Sequence, residues 1–251
     1  MKNSKIIKFS VACVSLVSGL TFGAVAADSS VNIAFNGVQS SPGSANTLQM
    51  LFLLTVVALS PSIIIMMSSF TRVVIVLSFV RSALGLQQTP PNQVLVGIAL
   101  FLSLFIMSPV ITEINTNAYQ PLTNNKITTQ QAYNNSMKPL RNFMFKNTED
   151  ASLNTFLNMA KMARPKSIND IPSRVLIPAF VISELKRAFM MGFMIYLPFL
   201  VIDLIVSSTL MSMGMMMMPP MMISLPLKLA LFVLVDGWSL TVTSLVASFK
   251  T

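Results

Sequence analysis

Two carboxylates and a run of methionines are the residues whose types and positions suggest chemistry in this chain. Asp203 and Asp236 lie within apolar segments, and a facing pair of carboxylates that shares one proton is what an aspartic protease needs. Methionine dominates the segment 211–222, and its thioether is a ligand for copper(I). Nothing in the sequence brings the carboxylates together, and consecutive methionines do not share one helix face. We therefore interpret the carboxylates as helix caps or backbone partners and the methionines as an apolar seal.

The usual catalytic and metal-binding side chains are scarce. The sequence has no histidine, and its one cysteine, Cys13, lies in a leader-like segment. A serine–histidine–aspartate triad, a histidine zinc site and a thiolate nucleophile are therefore excluded from the mature chain. We expect no enzyme activity, no cofactor and no metal.

The composition indicates a membrane protein. Hydrophobic residues make up 53% of the 251 residues and charged residues only 10%, and the apolar residues cluster in runs long enough to cross a bilayer. The net charge of +9 is scattered along the chain and forms no basic stripe. The sequence therefore predicts contact with the membrane and none with nucleic acid.

A secretory leader occupies the first residues. A basic start is followed by an apolar stretch and by the small residues Ala24-Val25-Ala26, which is the pattern of a cleaved signal peptide. We predict a signal peptide over residues 1–26, cleavage between Ala26 and Ala27, and an exported polar tail over residues 27–47.

The apolar runs predict an all-α membrane protein with about four hydrophobic helical segments in two hairpins, broken by proline and glycine. The first hairpin covers residues 48–112, and the second covers residues 184–251 and contains the methionine-rich loop 211–222. Between them, residues 113–183 form a soluble helical region. The leader places this region in the periplasm; its eight Lys or Arg residues oppose that orientation, but the charge rule is weak for so long a loop.

Two aromatic residues of the soluble region lie on apolar helical faces that need a partner. Phe156 recurs at helical spacing with neighbouring leucines after Glu149 and Asp150, and Phe143 belongs to a cluster that predicts a short helix after Pro139. We expect Phe143 and Phe156 to hold neighbouring copies of the chain together. In the first hairpin, we interpret Arg72 and Arg81 as topology anchors.

Several motifs resemble the FliP/SctR family of type III export-gate proteins, in its flagellar branch. The motifs are residues 90–95 (PPNQVL), 107–110 (MSPV), 118–121 (AYQP), 176–193 (LIPAFVISELKRAFMMGF) and, within 197–238, PFLVIDL, GMMMMPP, LPLKL and FVLVDGW. The resemblance runs from about residue 48 onward. Departures are the Asn- and Lys-rich stretch 142–169 and a methionine run that Met218 extends by one.

The resemblance implies a multi-pass protein of the bacterial inner membrane at the flagellar basal body. Several copies would form a ring with FliQ and FliR, next to FlhB and FlhA-type export proteins, and unfolded flagellar subunits would pass through the pore. The resemblance also suggests an ion pair between Glu184 and Lys228 of neighbouring copies. In such a ring we expect Met215, Met216 and Met217 to form a methionine gasket that closes the channel.

A small-solute secondary transporter or channel is the alternative. It would also require charges and broken helices at membrane depth, but the sequence shows no internal repeat of the kind that such folds often contain.

Overall fold

A computed structural model describes residues 44–86, 88–162, 170–214 and 219–250. The predicted cleavage site at Ala26 and Ala27 and the predicted gate at Met215, Met216 and Met217 lie outside the described residues. The chain divides into two units, residues 1–49 and residues 50–251. All contacts reported below lie within the second unit.

The described residues form ten α-helices and one π-helical turn. In chain order they are α1 (Ser44–Met66), α2 (Phe70–Ala83), α3 (Asn92–Ile106), α4 (Ser108–Ile114), the π-helical turn (Asn115–Tyr119), α5 (Gln120–Thr123), α6 (Thr129–Asn147), α7 (Asp150–Met159), α8 (Ser173–Ser212), α9 (Pro220–Leu234) and α10 (Gly237–Ala247).

Two helices are long and apolar enough to cross a membrane alone: α1, through its stretch Gln49–Met66, and the 40-residue α8. Two further candidates are bent pairs. α3 meets the segment Ser108–Thr123 at 58°, and α9 meets α10 at 63°. Two spans, or four if each bent pair is one span, agree with the predicted all-α membrane protein.

Three positions at which a proline or a region boundary suggested the end of a helix lie inside continuous helices. α1 runs through Pro61, α8 runs through the predicted boundary between residues 183 and 184, and α6 begins ten residues before Pro139. A reciprocal cap explains the early start of α6. The Thr128 hydroxyl accepts a hydrogen bond from the Gln131 amide at 3.3 Å, and the Gln131 side chain accepts one from the Thr128 amide at 3.0 Å. This cap offsets part of the cost of an internal proline.

The core is built on one face of α8. Its buried positions Leu176, Phe180, Glu184, Ala188 and Gly192 recur every fourth residue, the spacing that places side chains in one stripe along a helix. α2 packs along α8 with its own stripe of buried residues, Val73, Val76, Leu77 and Val80. α2, a helix of 14 residues with one arginine on its buried face, is thereby fixed against the longest of the described helices.

α2 approaches α8 closely at Gly192. A Cβ added there would lie 2.5 Å from Cγ of the Phe79 ring, and that ring is held edge-on against Phe189. We expect Gly192→Ala to destabilise the protein by about 1–3 kcal/mol, the typical cost of overpacking. Gly97→Ala is the matched control, because Gly97 lies inside α3 and a Cβ there meets nothing within 4 Å. The measurement is the thermal unfolding midpoint of the protein in detergent. Equal midpoints for the two variants would contradict the close packing.

Candidate functional site: buried ion pairs and an exposed apolar surface

A fully buried ion pair joins α2 to α8. Arg72 donates two hydrogen bonds to Glu184, from Nε to Oε2 at 2.9 Å and from Nη2 to Oε1. Neither side chain is exposed. A planar guanidinium suits this bidentate geometry, and its remaining Nη1 donates to the carbonyl oxygen and hydroxyl of Ser248 at 3.0 and 2.8 Å. Arg72 is therefore not the flanking topology anchor that the sequence predicted: its partners make a buried position tolerable.

The segment 248–250, which follows α10, is bound by side chains of two other helices, α2 and α6. Besides the bonds from Arg72, the Asn147 amide donates to the Lys250 carbonyl at 3.0 Å and accepts from the Lys250 amide at 3.1 Å. The Phe249 ring stacks on Phe143, with centroids 6.2 Å apart and planes 17° apart. The Arg72 guanidinium lies 3.8 Å from the centre of the Phe249 ring, a cation–π geometry.

A second ion pair joins α8 to α9. Lys228 donates to Asp203 at 2.6 Å; the lysine side chain is 6% exposed and the aspartate side chain 34%. Asp203 is therefore an ion-pair partner in this chain and not the helix cap or backbone acceptor that the sequence suggested. Asp236 lies at the break between α9 and α10 with φ of 47°, and its side chain makes no capping bond to α10.

The residues of the predicted Glu184–Lys228 pair have different partners within one chain, Arg72 and Asp203 respectively. A pair between neighbouring copies stays a prediction. Glu149 binds Lys186 at 2.7 Å near the surface, with side-chain exposures of 35% and 51%.

The two predicted interface aromatics lie in different environments. Phe143 is 2% exposed and packs against Phe180 and Phe249 of its own chain, which gives it a structural role inside the subunit. Phe156 lies on α7 at the edge of the same core and is only partly buried. Its role between copies also stays a prediction.

Much of the apolar surface has no cover in a single chain. Strongly exposed large apolar residues outside α1 include Phe101 and Phe105 on α3, Met194 on α8, and Val233 and Leu234 at the end of α9. Met211, Met213, Met221 and Met222, on either side of the predicted gate, are also exposed. An apolar surface of this extent is covered by lipid or by partner proteins.

Paired charges inside apolar helices, broken spans and this exposed surface define an integral membrane protein built to pack against other apolar surfaces. The FliP family model matches residues 53–245. The flagellar biosynthetic protein FliP of Bacillus subtilis is 57% identical over 205 residues, which cover 82% of this chain and 93% of the relative. That of Pectobacterium carotovorum is 46% identical over 237 residues, 92% of each chain.

The chain therefore belongs to the FliP family, as its motifs predicted. It is a component of the flagellar export apparatus and not an enzyme.

The Lys228–Asp203 pair gives a prediction about α9. Asp203→Asn leaves the Lys228 ammonium enclosed without its carboxylate, and we expect lower protein levels in the membrane. The destabilisation of the fold should be smaller than the cost of about 3–5 kcal/mol that is typical of breaking a fully buried pair, because Asp203 is partly exposed.

The exchanged variant, Asp203→Lys with Lys228→Asp, should recover most of this loss. The comparison exchange, Glu184→Lys with Lys228→Glu, leaves Arg72 facing a lysine within the chain, so it should recover the level only where Lys228 pairs with Glu184 of a neighbouring copy. Immunoblots of isolated membranes compare the variants. Equal recovery by both exchanges would show that Lys228 pairs with Glu184 of a neighbouring copy.

Proposed function

We propose that this chain is a core pore subunit of the flagellar type III protein export gate in the bacterial inner membrane. Copies of it form a ring with FliQ and FliR, next to FlhB and FlhA-type proteins, and unfolded flagellar subunits pass through the pore. Membership of the FliP family supports the export role. The observation that carries the pore role is the break between α9 and α10.

At this break, strongly apolar and charged groups are exposed side by side. Leu234 is 84% exposed, Asp236 two residues later is also exposed, and the helices turn by 63°. Lipid would accept the leucine but not the carboxylate or the peptide groups of a helix break, and water would not favour the leucine. A protein surface with apolar and polar groups suits both, and in a homo-oligomeric ring every copy supplies such a surface to the next.

The finer features of the proposal rest on the sequence. A cleaved leader over residues 1–26 places residues 113–183 in the periplasm. Glu184 and Lys228 pair between copies, and Met215, Met216 and Met217 line the closed channel. The exposed methionines that flank the gate support a constriction made of adaptable apolar side chains.

Purification of the tagged chain from native membranes tests this function. We expect a complex with fixed ratios of this chain, FliQ and FliR, visible by native mass spectrometry. A chain that purifies as a monomer or self-dimer without these proteins, from cells that make all three, would contradict the pore role and favour the transporter alternative.

Phe156 offers a separate test of the ring. Phe156→Ala should lower the yield of the ring on native gels while the chain still inserts into the membrane, because Phe156 is not enclosed by its own chain. Met159→Ala, at an exposed position of the same helix, is the control and should leave the ring intact. Phe143 is unsuitable, because Phe143→Ala empties the core of its own subunit at a cost of about 3–5 kcal/mol. An undiminished ring in Phe156→Ala would remove Phe156 from the interface.

A further inference from the structure

The two ends of the bent α9–α10 pair are held very differently. After α10, residues 248–250 form four hydrogen bonds with the side chains of Arg72 and Asn147. At the other end of the pair, Met221 and Met222 in the first turn of α9 are exposed. Among the described residues, α9 is joined to another helix by the hydrogen bond from Lys228 to Asp203. Lys228 lies about two turns after the start of α9.

Release of residues 248–250 would leave several buried groups without partners. Arg72 would lose both acceptors of its Nη1, and the Asn147 amide would lose both of its bonds to Lys250. The Phe249 ring, 7% exposed, would leave its place against Phe143. Leaving buried polar groups without partners costs free energy, whereas the exposed methionines at the start of α9 can move without that cost.

We propose that residues 248–250 are a fixed latch, which stays docked on Arg72, Asn147 and Phe143 while the channel opens. Any opening movement of the bent α9–α10 pair then pivots about its latched end and is largest at the start of α9, where Met221 and Met222 lie. This inference rests on the proposed function, because it assigns the fixed and moving parts of the same pore.

The docking itself is tested without reference to export. A peptide tag added after Thr251 is released by trypsin, which cleaves after Lys250, a residue whose backbone carbonyl and amide groups both bind Asn147. In detergent-solubilised protein, Asn147→Ala should speed release by about tenfold, because cleavage follows the population of the opened segment. Asn142→Ala, at an exposed position of the same helix, is the matched control. Equal release rates for the two variants would overturn the latch.

A cross-link tests whether the latch stays closed during export. Lys146 and Lys250 line one cavity of about 370 Å³, and neither side chain takes part in the latch. In a Cys13→Ser background, Lys146→Cys with Lys250→Cys, joined by a short bismaleimide, should export flagellar subunits as well as the untreated variant. Loss of export on cross-linking would show that the latch opens.

The same reagent at the start of α9 completes the comparison. Met211→Cys with Met221→Cys should lose export when cross-linked. If this cross-link forms and export continues, the movement of the start of α9 is overturned. If tryptic release responds to Asn147→Ala but the purified chain lacks FliQ and FliR, the docking stands and the proposed function fails.

Discussion

Removing either charge of the Arg72–Glu184 pair is expected to reduce the chain to a small fraction of its normal level in the membrane. Arg72→Met leaves a buried carboxylate without a cation, and Glu184→Gln leaves a buried guanidinium without an anion. Breaking one side of a buried pair costs about 3–5 kcal/mol, a large part of the roughly 5–15 kcal/mol that stabilises an ordinary domain. Pulse-chase decay of the chain in isolated membranes measures the effect.

Two variants make this test specific. Lys186→Met breaks the exposed pair with Glu149, and surface pairs contribute only about 0–1 kcal/mol, so its decay should match that of the unaltered chain. Arg72→Lys keeps the charge but loses the bidentate geometry and the bonds to Ser248, so its decay should be intermediate. A Glu184→Gln chain as long-lived as Lys186→Met would show that the buried pair does not stabilise the fold.

Deleting residues 215–217 is expected to make the inner membrane leak small ions. In the proposed ring, these methionines from every copy close the channel, and an apolar constriction excludes water and ions. Replacing Met215, Met216 and Met217 by leucine is the matched control: it keeps the seal apolar but removes the flexible thioethers that adapt to a passing chain. We expect the leucine variant to stay tight and to export more slowly.

A potential-sensitive dye in whole cells measures the leak, and native gels confirm that the complex still assembles. A tight membrane in the deletion variant, with the complex intact, would show that the channel is closed elsewhere.

The helical content could be predicted from local signals. Runs of apolar residues predicted the spans, and Glu149 and Asp150 before an apolar period predicted the helix that the structure places at Asp150–Met159. Continuity through proline was not predictable in the same way. Pro61, Pro178 and Pro198 all lie inside helices, because each proline removes only one backbone bond and apolar surroundings favour keeping the remaining bonds within the helix.

The partners of the charges could not be predicted from local signals. Apolar surroundings show that Glu184 and Lys228 need partners, but Arg72 and Glu184 are 112 residues apart, and only the packing of α2 on α8 brings them together. Asn147 and Ser248 gave no signal at all, because a polar residue at the end of a helix usually faces water. Their roles become visible only when the segment 248–250 folds back on α6.

The buried pair also sets an order of events during synthesis. α2 holds a full positive charge on the face that is later buried, and the carboxylate that neutralises it lies 112 residues further along the chain. At about 5–20 residues per second, α2 waits roughly ten seconds after its own synthesis before Glu184 is made. During that interval Arg72 must remain at the water interface or against the insertion machinery, so α2 enters its final position only after α8 has emerged.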